Sequence, residues 1–139
     1  MQHLDVNNNF PKSEEVQAGQ TLAVAAELFF LLNLVFLPVI GFIILTILYL
    51  RYRNSAHSLA RCHLRQTFVV SIWAGILLVL VNGLIILLGG YDSPYVWLIV
   101  ILYLTTIHSI FIMFGTFGLT RAMNGQHYHY PLIGRKCKG

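Results

Sequence analysis

The sequence predicts an all-α membrane protein with three transmembrane helices, the first of them long and either kinked or preceded by an amphipathic interfacial helix. The chain is 57% hydrophobic and only 10% charged, a composition that suits a bilayer better than water. Apolar blocks at residues 28–50, 67–88 and 95–119 each provide the roughly 20 residues that a helix needs to cross hydrocarbon. None alternates like a barrel strand, and an isolated strand would leave its amides unpaired in lipid.

The first block is less regular than the other two. Pro38 and Gly41 interrupt it, and a proline inside a helix removes one hydrogen bond and tends to kink it. Two arrangements fit: one long tilted helix of about 30 residues, or an amphipathic helix on the membrane surface followed by a span from about residue 32 to 50. Around the blocks we expect a polar N-terminal segment (1–20), a helical bundle (21–123) and a cytoplasmic tail (124–139).

The basic residues predict the orientation in a bacterial inner membrane. Eight of the nine lysines and arginines lie in the loop 51–66 or after the third block, and the loop 89–95 has none. The positive-inside rule then places loop 51–66 and the tail in the cytoplasm, with the N-terminus outside. The net charge of +4 is therefore a topology signal, and we expect no nucleic acid partner. On this topology Cys62 and Cys137 are expected to be free thiols.

Polar side chains inside the spans are the first candidates for function, because each is costly in hydrocarbon unless it faces protein or water. Asn33 and Asn82 fall at similar depths, about 8 to 12 Å from the outer face, and could bond across helices. His108 lies near mid-membrane, either as a proton relay, haem ligand or quinone contact or as a neutral imidazole bonded to a neighbour. We expect Glu27 to stay solvated near the outer interface.

No pattern in the sequence predicts an enzyme. There is no Walker loop, GxGxxG or paired carboxylate motif. His63, His127 and His129 are weak candidates for a metal site, but their spacing fits no common zinc pattern. We expect no catalytic residue, no metal and no cofactor, with His108 as the weak candidate for cofactor binding.

The tail carries a resemblance. "AMNGQHYHYPLIG" resembles the C-terminal Asn-Gly-x-x-Tyr-x-Tyr-Pro signature of a large bacterial family of small multi-span membrane proteins of unknown function, itself distantly similar to the Tic translocon channel component of plastids. "HLRQTF" at 63–68 is similar to the segment that opens the second helix of that Tic-like family. The resemblance implies a helical membrane domain with both segments on one face.

The same two segments predict how the tail folds. Asn124 and Gly125 supply a turn after the third helix, and Pro131 stops any continuation. The tail then folds back under the bundle with Tyr128 and Tyr130 in the interface. We expect polar atoms of the tail to contact His63 or Gln66.

These observations favour a structural or accessory subunit that packs against other integral membrane proteins, or against itself, within the lipid bilayer. The alternative is an oligomeric pore or carrier for protons, ions or polypeptides that uses Asn33, Asn82 and His108. A third hypothesis is a haem-, metal- or quinone-binding subunit.

Overall fold

The computed structural model describes residues 10–36, 38–54, 57–128 and 130–131, with side chains from residue 14 onward. These ranges contain the helices α1 (Phe10–Val35), α2 (Pro38–Tyr52), α3 (Ser58–Gly75), α4 (Val81–Gly89) and α5 (Pro94–Met123). One π-helical turn, Ile76–Leu80, joins α3 to α4 into a continuous rod. Three stretches are long and apolar enough to cross a membrane: Glu14–Val35, Ser58–Gly89 and Pro94–Met123. The predicted all-helical class is therefore confirmed, with a long first helix.

The first apolar block forms a helical hairpin, which neither of the two expected arrangements described. α1 ends at Val35, and Pro38 is the first residue of α2. Proline suits a helix start because its missing N–H is not needed there, and it disfavours helical geometry in the residue before it. α2 then runs back along α1, so that a Cβ on Gly41 would lie 2.7 Å from the Asn33 Cα. Pro38 therefore separates two helices instead of kinking one.

One end of the bundle collects the start of α1, the start of α3 and the end of α5. The Gln20 side-chain amide donates a 2.5 Å hydrogen bond to the Met123 carbonyl, and a Cβ on Gly19 would lie 3.0 Å from the His57 Cβ. We call this the tail end and the opposite end, with residues 90–93, the loop end. The expectation that put the N-terminal segment opposite the tail is wrong for residues 14–20; residues 1–9 lie outside the described ranges.

The hairpin is shorter than the helices that it packs against. From Gln20 to Val35, α1 rises about 22 Å, whereas the 30 residues of α5 rise about 45 Å. Near its tail end the bundle has a buried core that includes Phe30, Leu45 and Leu64. Towards the loop end, α4 and α5 extend beyond the hairpin turn.

Glycines set how closely the helices approach. A Cβ on Gly115 would lie 2.7 Å from the Leu31 side chain, and one on Gly41 would meet the backbone of α1. A Cβ on Gly83 would meet nothing within 4 Å. In lipid, close packing of this kind replaces much of the hydrophobic drive that water provides.

We expect Gly41→Ala to destabilise the fold, because the added methyl group can be accommodated only if α1 and α2 move apart. Overpacking of this kind costs about 1 to 3 kcal/mol. Gly83→Ala is the matched control, since its methyl group enters open space. Thermal unfolding in mild detergent, followed by circular dichroism, should show a lower midpoint for Gly41→Ala alone. Equal midpoints for the two variants would contradict the close α1–α2 contact.

Candidate functional site

A buried carboxyl group lies at the centre of the tail end. Glu27 on α1 is fully buried, and its Oε1 lies 2.6 Å from Nδ1 of the equally buried His63 on α3. The Tyr130 hydroxyl donates a 2.6 Å hydrogen bond to the other oxygen, Oε2. Gly118 on α5 makes room, since a Cβ there would lie 2.6 Å from Oε2. The expectation that Glu27 stays solvated at the opposite face is therefore wrong.

The hydrogen bonds of His63 fix how protons are shared in this pair. His63 Nε2 lies 3.0 Å from the Gln126 carbonyl oxygen, so Nε2 must carry a hydrogen. One proton then lies between Nδ1 and Glu27 Oε1, either on the imidazole or on the carboxyl group. In both arrangements the pair has no net charge, which is what a buried site requires.

Gln66, one turn after His63, holds the backbone of the tail. Its Oε1 accepts a 2.8 Å hydrogen bond from the Tyr130 N–H, and its Nε2 donates to the Tyr128 carbonyl. Two peptide groups of the tail are thus paired by one amide side chain, as a neighbouring strand would pair them. Together His63 and Gln66 hold Gln126, Tyr128 and Tyr130 against α3.

The turn that feeds the tail into this position is a Schellman motif. The Gln126 N–H donates to the Arg121 carbonyl at 2.9 Å and the Gly125 N–H donates to the Ala122 carbonyl at 3.0 Å. Gly125 has φ +65°, a left-handed conformation that glycine adopts without strain. Asn124 is the C-cap of α5, so the Asn-Gly pair ends the helix and reverses the chain.

Two tyrosines of the tail pack into the tail end. The Tyr130 ring is almost completely buried and meets the edge of Phe30, with 5.8 Å between ring centroids. Tyr128 is half-buried and packs against Tyr130 at 5.2 Å. Burial raises the pKa of the Tyr130 phenol well above its ordinary value, and the nearby Glu27 carboxyl group raises it further. The pKa of Tyr128 is raised by the same two causes.

Asn33 and Asn82 do not bond to each other. The Asn82 amide donates to the Leu78 carbonyl of its own helix at 2.6 Å. Among the described residues, neither Asn33 Oδ1 nor Asn82 Oδ1 has a hydrogen-bond partner, which rules out a bond between the two amides. The expected pairing is wrong because the depth of Asn33 was counted as if the first block crossed the membrane once. In the structure Asn33 lies near the turn of a hairpin.

The candidate residues for metal binding do not form a cluster. His63 is engaged by Glu27 and Gln126, His127 is exposed, and His129 lies outside the described residues. No group of three histidine, cysteine, aspartate or glutamate side chains in the described ranges could hold a metal ion. Pro131 forms part of an exposed turn after Tyr130.

Cys62 does not carry the free thiol that the predicted topology led us to expect. Its sulfur is disulfide-bonded in the structure and accepts a 3.3 Å contact from the Gln66 amide. Cys137 lies outside the described residues. The expectation of a free thiol at Cys62 is therefore wrong.

His108 lies away from the tail end. It is half-buried near the middle of α5 and lines a cavity with Asn33 and Ser71. The structure thus brings the candidates into two separate places. His63, Gln66, Tyr128 and Tyr130 lie at the tail end, and Asn33 and His108 line the cavity. Sequence reasoning missed Glu27 as a member of the first group, although a carboxylate within the apolar run "TLAVAAELFF" was itself a signal for a buried partner.

Fold and site together define a small multi-pass helical membrane protein whose buried polar network holds its own tail. Comparison with known protein families identifies the family within this class of membrane proteins. Residues 18–136 match the model of the magnetosome magnetite crystal formation protein family, and the chain belongs to that family. No curated protein and no solved structure matches the chain significantly. The Tic-like resemblance of the tail stays a prediction.

Replacing Gln66 by alanine should release the tail, because two buried peptide groups lose their partner. A loss of about 1.4 kcal/mol, within the range for such groups, corresponds to about a tenfold change in local opening. Hydrogen exchange of a peptide covering residues 124–131, measured by mass spectrometry, should therefore accelerate about tenfold. Arg65→Ala, an exposed neighbour on α3, should leave the exchange unchanged. Equal protection in all three proteins would refute the role of Gln66.

The raised pKa of Tyr130 predicts a specific loss of stability at high pH. The folded chain holds this proton more tightly than the unfolded chain, so the contribution of Tyr130 is complete below its unfolded pKa of about 10 and is lost as the pH rises towards the folded pKa. Unfolding temperatures of the wild type and of Tyr130→Phe, measured from pH 8 to above pH 10, should differ most at the lower pH and converge above about pH 10. A difference that does not change with pH would contradict the burial of this phenol.

Proposed function

We propose that this chain is a non-enzymatic accessory protein of a bacterial inner membrane that packs laterally against other membrane proteins. The family takes its description from magnetite crystal formation in magnetosomes. An accessory role in a membrane agrees with that description. It also agrees with a chain whose most buried polar side chains bond to other parts of the same molecule. Glu27, His63 and Gln66 hold the tail of the same molecule, which is a structural use of titratable and amide groups.

The observation that carries the proposal is the unoccupied face of α4. A Cβ on Gly83 would meet nothing within 4 Å, whereas the glycines at 41, 115 and 118 each lie in a close internal contact. Small residues that let helix backbones approach closely form a common helix–helix surface in membranes. We therefore propose that α4 receives a helix of another protein or of a second copy.

A transport role has less support from the arrangement of polar groups. In the described part of one chain, buried Phe30 on α1 and buried Val70 on α3 lie between the Glu27–His63 pair and the polar residues of the cavity. A pore or carrier would therefore need a path between several copies. Proton or ion flux into liposomes that contain the purified protein would favour this alternative.

Gly83→Leu should disrupt partner binding without disturbing the fold. The new side chain enters open space in the isolated chain but occupies the surface that a partner helix would need. In gentle detergent, the wild type should co-purify a membrane protein, or a differently tagged copy of itself, in stoichiometric amount, and Gly83→Leu should lose most of it.

The control is Thr116→Leu, which places the same leucine side chain at an exposed position of α5 whose hydroxyl bonds its own helix. It should retain the partner. A wild-type protein that purifies alone as a monomer, or a Gly83→Leu variant with full partner recovery, would overturn the proposed surface.

A further inference from the structure

The two ends of the bundle differ in width. At the tail end α1 packs against α2, α3 and α5, and α2 also packs against α3. Towards the loop end α4 packs against α5 and follows the π-helical turn, and it contacts neither α1 nor α2. In the described part of the chain the bundle is therefore four helices wide at the tail end and two helices wide at the loop end.

The width changes near the middle of the bundle. Pro38, which begins α2 after the hairpin turn, lines the same cavity as Gly75 at the end of α3 and His108 on α5. From this level to the loop end, the rod that contains α4 continues to Gly89 and α5 extends back to Pro94. Each of these stretches is about 14 residues and therefore about 21 Å long.

Exposed charges place both ends of the hairpin at one membrane surface. The arginines of the described ranges are all exposed and all lie at the tail end: Arg51, Arg53, Arg61, Arg65 and Arg121. Charged side chains are costly in hydrocarbon, so they mark one surface of the bilayer. Between Arg51 and Pro38, α2 rises only about 20 Å, which is less than the roughly 30 Å of a hydrocarbon core. A hairpin of this length turns back before it reaches the other surface.

The narrow half of the bundle also faces lipid. Leu87 and Leu88 on α4 are 80% and 87% exposed, and Leu98 and Leu102 on α5 are exposed as well. These side chains continue the apolar surface up to the loop, where Trp97 donates a 2.8 Å hydrogen bond to the backbone carbonyl of an aromatic neighbour. Aromatic side chains of this kind are enriched at membrane surfaces. The loop end therefore marks the second surface of the bilayer.

We propose that the chain is a wedge in the bilayer and accumulates in membranes that curve with the tail end on the convex side. A helix is about 10 to 12 Å across, so α1 and α2 add about 200 Å² to the tail-end leaflet alone. A bilayer relieves unequal leaflet areas by bending towards the leaflet with the smaller area. The inference does not rest on the partner surface of α4, since one partner helix there would still leave the loop end narrower.

The test uses the full-length chain in giant vesicles from which a thin membrane tube is pulled. A small fluorophore is attached to Asp92→Cys, an exposed position of the loop end, without reduction, so that the disulfide-bonded Cys62 does not react. A quencher that does not cross membranes removes the signal of chains whose loop end faces outwards. The remaining chains have the tail end on the convex side of the tube.

The two orientations should distribute in opposite ways. Relative to a lipid dye, chains with the tail end outside should be enriched in the tube at least about twofold over the vesicle, which corresponds to about 0.4 kcal/mol. Chains with the loop end outside, measured as the signal that the quencher removes, should be depleted. The same chain in the opposite orientation is thus its own control.

Two variants connect this distribution to the hairpin. Inserting seven apolar residues after Val35 and seven after Pro38 lengthens each arm by about 10 Å, so the enrichment should fall towards one. Gly83→Leu, which blocks the partner surface, should distribute like the unsubstituted chain.

An equal distribution of both orientations, or enrichment of chains with the loop end outside, would overturn the proposal. So would unchanged enrichment in a lengthened chain that thermal unfolding shows to be folded. The comparison of orientations is decisive by itself if the lengthened chain does not fold. Loss of enrichment in Gly83→Leu would assign the preference to an assembly and refute the wedge of the single chain, while leaving the partner surface intact.

Discussion

The fold depends on how the chain accommodates one carboxyl group away from water. An unpaired carboxylate in the interior of a protein or bilayer costs several kcal/mol, so Glu27 must be paired wherever α1 carries it. His63 on α3 and Tyr130 in the tail both reach it at 2.6 Å, and Gly118 on α5 leaves the space for it. Four separate parts of the chain are therefore fixed at one end by a polar network and not only by apolar packing.

This constraint explains the rest of the bundle. With Glu27 held at the tail end, α1 reaches only part of the way along α5 before Pro38 starts the returning helix. The hairpin turn therefore lies partway along α5, beside Asn33 and close to His108. The cavity lies against the hairpin turn. The unoccupied face of α4 lies in the part of the molecule that the hairpin does not cover. The proposed partner surface thus follows from one feature of the chain, its short first hairpin.

The sequence contained enough information to predict the all-helical membrane fold and the α3 side of the polar network, His63 and Gln66. Apolar run lengths predict helices because a bilayer leaves no alternative, and the tail pattern pointed to the two side chains of α3 that the tail contacts. Glu27 and the hairpin could not be derived in the same way, since depth was counted along a first block assumed to cross once. A proline can kink a helix or begin a new one, and only the contact between Gly41 and the α1 backbone distinguishes the two. The π-turn left no signal in "ILLVL".

The account rests on the contact between Glu27 and His63 inside a membrane, and solid-state NMR can measure it directly. Glutamate is labelled with ¹³C at the side-chain carboxyl and histidine with ¹⁵N at Nδ1, and dipolar recoupling is measured in liposomes. The 2.6 Å Oε1–Nδ1 contact and a C–O bond of about 1.2 Å place the labelled pair within about 4 Å of each other. One carboxyl signal should be strongly dephased in the wild type, and the same signal should remain without dephasing in His63→Asn. A set of glutamate carboxyl signals with no dephasing in the wild type would contradict it.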